Sequence, residues 1–267
     1  MASQPTRPQT IGGVLDTTFQ LYKASLLSVI PLCLLLVAAS LAPSIYVFVQ
    51  GGGSADPFAM GIGALSAFSS PTYWVIYVAS VVGSLWALGA LYLKIAAIGS
   101  DSDMSIGVAL GNSIGRVPIL FLTTILFFIA FLIGCLLLII PGLILLISLM
   151  PAFNLVLFEG KGPFAALVDS HKLVWGNWWR TAAILTVGFI IVIVIYVLAG
   201  FLVGVTLPFA SGDGMMFGLV SGLAVGLLMN VLVTPFYVAL VIAIYWDLKL
   251  RKEGGDLAAR VGALNPA

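Results

Sequence analysis

The sequence predicts an all-α polytopic membrane protein with six transmembrane helices. Of its 267 residues, 61% are hydrophobic and only 8% are charged, whereas a soluble domain carries about 25% charged residues. Continuous apolar runs of about 20 residues, long enough for a helix to cross a bilayer, recur along the chain. These runs do not alternate with polar residues, which disfavours the strands of a membrane barrel.

The composition also limits the classes of function. A net charge of +1 leaves no basic face that could neutralise the phosphates of a nucleic acid, so no nucleic-acid partner is expected. One histidine and two cysteines leave few groups for metal binding or acid–base chemistry. We therefore expect no metal, no cofactor and no enzymatic activity.

Six apolar runs define the predicted spans, and they cover residues 26–49, 73–98, 119–140, 143–158, 181–205 and 217–246. Between the third and the fourth run, Pro141 and Gly142 are predicted to break the helix and to permit a tight reversal. The first run resembles the apolar core of a cleaved signal peptide, but it begins late and is too long for one.

The basic residues predict the orientation of the spans. All 11 Lys and Arg residues lie in the termini or in the connections on one side, and the opposite loops carry only Asp56 and Asp213 as charges. By the positive-inside rule both termini are cytoplasmic, and the protein is expected in a bacterial inner membrane. The Gly-, Ser- and Pro-rich loop 50–72 is expected at the outer interface.

A pattern of amphipathic segments occurs three times on the cytoplasmic side, at 10–26, 105–117 and 163–175. Apolar residues recur at helical steps, so the segments predict three interfacial helices that each precede a hairpin. Thr10 and Ser105 suit N-caps, and Pro163 suits a first turn. The alternative is that the match is chance, because any helix beside a membrane looks amphipathic.

With the repeat, the predicted single domain 1–267 comprises a flexible tail 1–10, three repeats at 11–98, 105–158 and 163–246, and a tail 247–267.

Polar residues inside the spans are few. Lys94 is expected to snorkel to the cytoplasmic surface, and Cys33 and Cys135 are expected to be small core residues. Asn154 and Asn230 are expected to form hydrogen bonds between helices, although Asn154 beside the kink at Pro151 could instead serve a permease as a midplane site.

Small residues predict where helices five and six pack closely. Gly218, Gly222 and Gly226 recur at steps of four in the sixth span and are continued by Asn230 and Thr234. Such a face permits the backbones of two helices to approach. A homo-oligomer interface is the alternative use of the same face.

The remaining polar residues form a predicted cytoplasmic rim. His171 and Asp169 are two positions apart on one helix and point to different faces, so they do not predict a catalytic pair. Ion pairs that link the interfacial helices to the span ends are expected, with Arg180 as their hub. The rim is interpreted either as an ordinary interfacial belt or as a site for a lipid head group or partner, and its candidates are Asp16, Lys23, Glu159, Asp169, His171, Lys172, Arg180, Asp247 and Lys249, with Lys161 and Arg251 beside them.

Three stretches carry a resemblance to a known family: 11–25 with the motif LDTTFQLY, 139–179, and 235–256 with the motif YWDLKLRKEG. They resemble the bacterial membrane proteins related to the membrane domain of glycerophosphoryl diester phosphodiesterase. In fused members a soluble hydrolase follows the membrane domain, and the resemblance implies a stand-alone module without it. We therefore expect a non-catalytic protein with an accessory or lipid-linked role in the cell envelope and with membrane lipids as its partners. Envelope proteins or a second copy of the chain are further candidate partners. The alternative is a permease or exporter of a small or amphiphilic solute.

The orientation can be tested by cysteine labelling in intact cells. Cysteines that replace Ser54 and Ser211 should react with a membrane-impermeant thiol reagent from outside, because both lie in loops without basic residues. A cysteine at Ala258 should stay unlabelled until the cells are permeabilised. Labelling of the Ala258 cysteine in intact cells would contradict the orientation.

Overall fold

A computed structural model of the chain describes residues 4–50, 57–102, 104–206 and 214–264. Within these ranges the structure is helical and contains no strand, which confirms the all-α prediction. The helices are α1 (Ile11–Gln50), α2 (Pro57–Ser69), α3 (Pro71–Gly99), α4 (Ile106–Ile114), α5 (Val117–Leu137), α6 (Ile139–Leu149), α7 (Ala152–Glu159), α8 (Pro163–Val174), α9 (Trp178–Thr206) and α10 (Gly214–Leu264).

Six helical segments are long and apolar enough to cross a membrane, as predicted. They lie in α1, in α3, in α5, in α6 together with α7 (Ile139–Glu159), in α9 (Trp178–Leu202) and in α10 (Ala224–Gly254). The chain is therefore a multi-pass membrane protein.

The core of the bundle is formed by α1, α3 and α10. Leu32, Leu91 and Ile242 are almost completely buried in one apolar cluster to which all three helices contribute. Side chains of α1 and α10 pack against Gly99 of α3, because a Cβ atom there would lie 2.5 Å from Trp246 Cη2 and 2.7 Å from Leu21 Cδ2. A small residue at this point lets the three helices meet without a gap.

The hairpin between α5 and α6 turns earlier than predicted. The chain reverses at Leu138, which is extended with φ −170° and ψ 154°. Pro141 therefore lies in the first turn of α6, where its missing N–H group leaves no intrahelical bond unmade. Gly142 serves packing instead of the turn, since a Cβ atom there would lie 2.4 Å from Cys135 Sγ and 3.0 Å from the Cys135 backbone nitrogen.

The fourth candidate span is broken at Pro151, between α6 and α7. α7 is joined to α10 by a hydrogen bond, in which Asn154 Nδ2 donates to the Val241 carbonyl at 3.1 Å. α6 turns towards α8 and the start of α9, where Ser170 Oγ donates to the Ser148 carbonyl at 2.9 Å and Trp178 Nε1 to the Ile144 carbonyl at 3.3 Å. Both halves pack on α5 and α8, while α6 also contacts α9.

Two of the three predicted interfacial helices are separate elements, α4 and α8. The expected caps are present: Ser105 accepts from the Val108 amide at 3.3 Å, and Pro163 opens α8. The first segment is not a separate helix, because α1 continues unbroken from Ile11 into the first span. The proposed threefold repeat stays a prediction.

The described residues of the two predicted tails make a backbone contact or form helix. The Gln4 amide donates to the Gly99 carbonyl at 2.7 Å, so the segment before α1 lies against the end of α3. At the other terminus, α10 extends to Leu264. The loop segments 51–56 and 207–213, with Ser54 and Ser211, lie outside the described residues.

The predicted glycine face does not join α9 to α10 at Gly226. A Cβ atom on Gly226 would meet nothing within 4 Å. Asn230 Oδ1 accepts from Thr234 of its own helix at 3.0 Å, so this bond does not cross to α9. The surroundings of Gly218 and Gly222 lie outside the described residues. The close approach of the two helices occurs at Gly188, where a Cβ atom would lie 2.3 Å from Leu240 Cδ2.

The packing role of Gly142 can be tested by thermal unfolding in detergent. Gly142→Ala should destabilise the protein by about 1 to 3 kcal/mol, because the added methyl group meets backbone as well as the Cys135 sulfur. Gly200→Ala is the matched control, since a Cβ atom there meets nothing within 4 Å. Equal unfolding temperatures of the two variants would contradict the packing of this hairpin.

Candidate functional site

A buried carboxylate organises one side of the predicted rim. Asp247 near the end of the sixth span is 1% exposed. Its Oδ2 accepts from Arg180 Nη2 at 3.1 Å and from Arg251 Nε at 2.9 Å, and its Oδ1 accepts from the Gln9 backbone amide at 2.7 Å. Gln9, Arg180, Asp247 and Arg251 are called the Asp247 cluster below.

The Asp247 cluster joins α9 and α10 to the start of α1 through Gln9, which lies two residues before that helix. The Gln9 carbonyl accepts from Arg180 Nη2 and from Arg251 Nη2, each at 2.5 Å. Arg251 follows Asp247 by one helical turn, while Arg180 comes from the first turn of α9. Two guanidinium groups face one carboxylate, so the cluster carries one net positive charge.

A second group of ion pairs lies between α7, α8 and α10 and is called the Glu159 cluster. Glu159 accepts from Tyr245 at 2.6 Å and from Lys249 at 3.0 Å, and its other oxygen lies 3.0 Å from Lys161 Nζ. Lys161 also donates to Asp169 at 2.8 Å. The Glu159 cluster therefore ties the end of α7 and the middle of α8 to α10.

The bond between Lys161 and Asp169 shifts both of their pKa values. The hydrogen bond from Lys161 holds the pKa of the Asp169 carboxyl below its usual range, with a smaller contribution from Lys172 at 3.6 Å. The same bond raises the pKa of Lys161. Both groups are charged at neutral pH, and their role is to hold α8 in place.

Most predicted rim residues are brought together, but not all of them. Arg180 contacts two acceptors, as expected of a hub, although the centre of its cluster is Asp247. Asp16 and Lys23 are exposed on α1 and form no ion pair with any residue that the structure describes. Gln9 was not predicted, because it acts through its backbone and carries no side-chain signal for this role.

The His171 side chain forms no hydrogen bond with any residue that the structure describes. Its ring packs on Trp175 with centroids 5.1 Å apart. Nδ1 is buried and has no partner among the described residues. The Asp169 oxygens face Lys161 and Lys172 instead of His171, so no catalytic pair forms.

Polar residues within the bundle are held by backbone carbonyls. Lys94 is 8% exposed and donates to the Met104 carbonyl. Contrary to the prediction, it does not snorkel to the surface. Arg116 Nη1 donates to the Val156 carbonyl in the last turn of α7 at 3.2 Å. Asn154 is fully buried, and its Oδ1 has no partner in the described part of the chain.

The residues that the structure describes contain no group of three or more His, Cys, Asp or Glu side chains that could hold a metal ion.

A recess with indole walls adjoins the Asp247 cluster. It has a volume of about 620 Å³ and lies between α6 and the turn that connects α8 to α9. Trp175, Trp178 and Trp179 line it together with Asn177 and Arg180. Trp175 is 59% exposed and Trp179 is 82% exposed. Exposed indoles at a membrane surface usually contact lipid head groups. This space is called the tryptophan recess.

The structural role of Asp247 can be tested by substitution. Asp247→Ala should destabilise the protein by about 3 to 5 kcal/mol, because it leaves two guanidinium groups without their buried counter-ion. Glu253→Ala is the matched control on the same helix, where an exposed pair with Lys249 should contribute less than about 1 kcal/mol. Thermal unfolding in detergent measures both, and an equal loss would contradict the central role of Asp247.

Comparisons with known proteins identify a family and a relative of the chain, and neither is described by a reaction. A family model described as a domain of unknown function (DUF7847) matches residues 85–248. A UPF0259 membrane protein of Photorhabdus laumondii is 30% identical over 117 residues, which are 40% of this chain and 46% of that relative. The chain thus spans about half the length of this curated relative. No solved structure matches.

Neither description mentions glycerophosphoryl diester phosphodiesterase or a catalytic activity. The relative's printed name agrees with the multi-pass membrane architecture. The family match takes in more than half of the chain, from the second half of α3 into α10, and the chain therefore belongs to the DUF7847 family.

Proposed function

We propose that this protein is a non-catalytic component of the cell envelope that binds an anionic lipid, with the lipid head group in the tryptophan recess. The observation that carries the proposal is the position of Arg180. It lines the recess and also belongs to the Asp247 cluster, which carries one net positive charge. A cation beside interfacial indoles favours an anionic head group at the membrane surface.

Other basic residues add to the attraction. The side chain of Lys172 is 69% exposed and lies on α8, one helical turn before Trp175. His171 packs on Trp175, which itself lines the recess. Arg180 lines the recess, and Lys172 lies on the helix that leads to it. Both cations favour a phosphate at this part of the membrane surface.

The finer features of location belong to this proposal. Both termini are cytoplasmic and the membrane is the bacterial inner membrane, because the basic residues lie on one side of the predicted spans. The resemblance to the membrane domain of glycerophosphoryl diester phosphodiesterase supports a role linked to lipids. Envelope proteins or a second copy of the chain are further proposed partners.

The permease alternative finds less support. Asn154, the proposed midplane site, is fully buried and already donates to the Val241 carbonyl. The tryptophan recess is lined by other residues. A lipid-binding role needs no such interior site, so it is the function that the geometry supports best.

Native mass spectrometry can test head-group binding. We expect the folded protein to retain phosphatidylglycerol more than phosphatidylcholine. Trp179→Ala should lower the retention of phosphatidylglycerol by roughly fivefold, the change that a loss of about 1 kcal/mol produces. Trp179 is mostly exposed, so the substitution should leave the unfolding temperature unchanged.

Trp74→Ala is the matched control, because Trp74 is also half-exposed but lies at the opposite end of α3 from the rim. It should not change the retention of either lipid. Equal retention of phosphatidylglycerol by the wild type and by Trp179→Ala would end the proposal for this recess.

A further inference from the structure

An apolar groove runs along the membrane-facing side of the bundle between α6, α9 and α10. It has a volume of about 720 Å³, within the range of sites that hold small molecules. Ile147 lies on its α6 side, Thr186 and Phe189 on its α9 side, and Leu240 on its α10 side. Phe189 is 64% exposed, so the groove opens laterally from the protein.

The groove continues from the tryptophan recess. Leu143 of α6 lines both spaces. Along α9, the residues that line the recess end at Arg180, and those that line the groove begin at Ala182. A molecule with a polar head in the recess therefore has a direct path for an apolar chain.

The floor of the groove is closed by the contact between α9 and α10. Gly188 lines the groove, and a Cβ atom there would lie 2.3 Å from Leu240 Cδ2. The absence of a side chain at Gly188 lets Leu240 pack against α9. The groove is thus a surface channel that can hold a chain lengthwise.

The length of the groove exceeds that of one bilayer leaflet. Ala182 and Tyr196 both line it, and fourteen residues of helix separate them by about 21 Å. The hydrocarbon core of a bilayer is about 30 Å thick, so one leaflet provides about 15 Å. A chain that fills the groove from the recess is therefore longer than one leaflet is deep.

We infer that the groove binds one chain of a long-chain lipid phosphate, with its phosphate in the tryptophan recess and its chain extending along α9 towards Tyr196. This inference rests on the proposed head-group site and adds the class of lipid: an anionic amphiphile whose chain is longer than a leaflet is deep. The net positive charge of the Asp247 cluster at one end and the apolar lining at the other match such a molecule.

The test compares alkyl phosphates of different chain length by native mass spectrometry. Octyl, dodecyl and octadecyl phosphate are offered at equal mole fraction in the micelle, so that partitioning into detergent does not contribute. The wild-type protein should retain octadecyl phosphate roughly tenfold more than dodecyl phosphate, which corresponds to about 1.4 kcal/mol. The six additional methylene groups reach only the deeper part of the groove.

Thr186→Phe is designed to block the groove, because Thr186 is exposed and lines it. This variant should lose the preference for octadecyl phosphate and keep the retention of octyl phosphate. Val187→Phe is the matched control, since Val187 is the next residue of the same helix, is 37% exposed and does not line the groove. It should behave as the wild type does.

The outcomes separate the two proposals. If the wild type retains all three phosphates equally, the groove inference is overturned while head-group binding stands. If the preference for octadecyl phosphate survives in Thr186→Phe, the chain binds elsewhere and the inference is also overturned. If no alkyl phosphate is retained, both proposals fail.

Discussion

The burial of one carboxylate between two guanidinium groups determines how the ends of three helices are arranged. Asp247 is nearly inaccessible to water, and a charge in that position is tolerated only when it is paired and fully hydrogen-bonded. Arg180 from α9, Arg251 from α10 and the Gln9 amide before α1 provide these partners. Because both guanidinium groups also donate to the Gln9 carbonyl, the chain before α1 cannot move away without breaking several bonds at once. The position of Arg180 beside the tryptophan recess follows from this arrangement.

The broken fourth span gives the bundle its lateral groove. Pro151 separates α7, whose Asn154 donates to the Val241 carbonyl of α10, from α6, which reaches Ser170 of α8 and Trp178 of α9. Residues of α6 line the space between α6, α9 and α10, whereas residues of α7 do not. One proline thus links the backbone geometry of a span to the proposed binding of a lipid chain.

The predicted rim combined residues with two different roles. Glu159, Asp169 and Lys249 belong to a cluster whose ion pairs are formed within the protein, so their charges hold helices together. Arg180 does the same for Asp247 but also faces the recess. Charge and spacing alone could not separate these roles, because a paired and an accessible cation look identical in a sequence. Asp16 and Lys23 shared the predicted rim pattern and yet remain outside both clusters.

The amino-acid sequence by itself determined the helical, multi-pass architecture, the number of candidate spans and the capping of α4 at Ser105. These features depend on local composition, since an apolar run must be helical in a bilayer to satisfy its own backbone. Only the tertiary structure decided that the α5–α6 reversal lies at Leu138, that α9 meets α10 at Gly188 and that a backbone carbonyl at Gln9 joins two arginines. Such contacts join residues far apart in the chain, and they depend on which helix faces pack together, which no local pattern specifies.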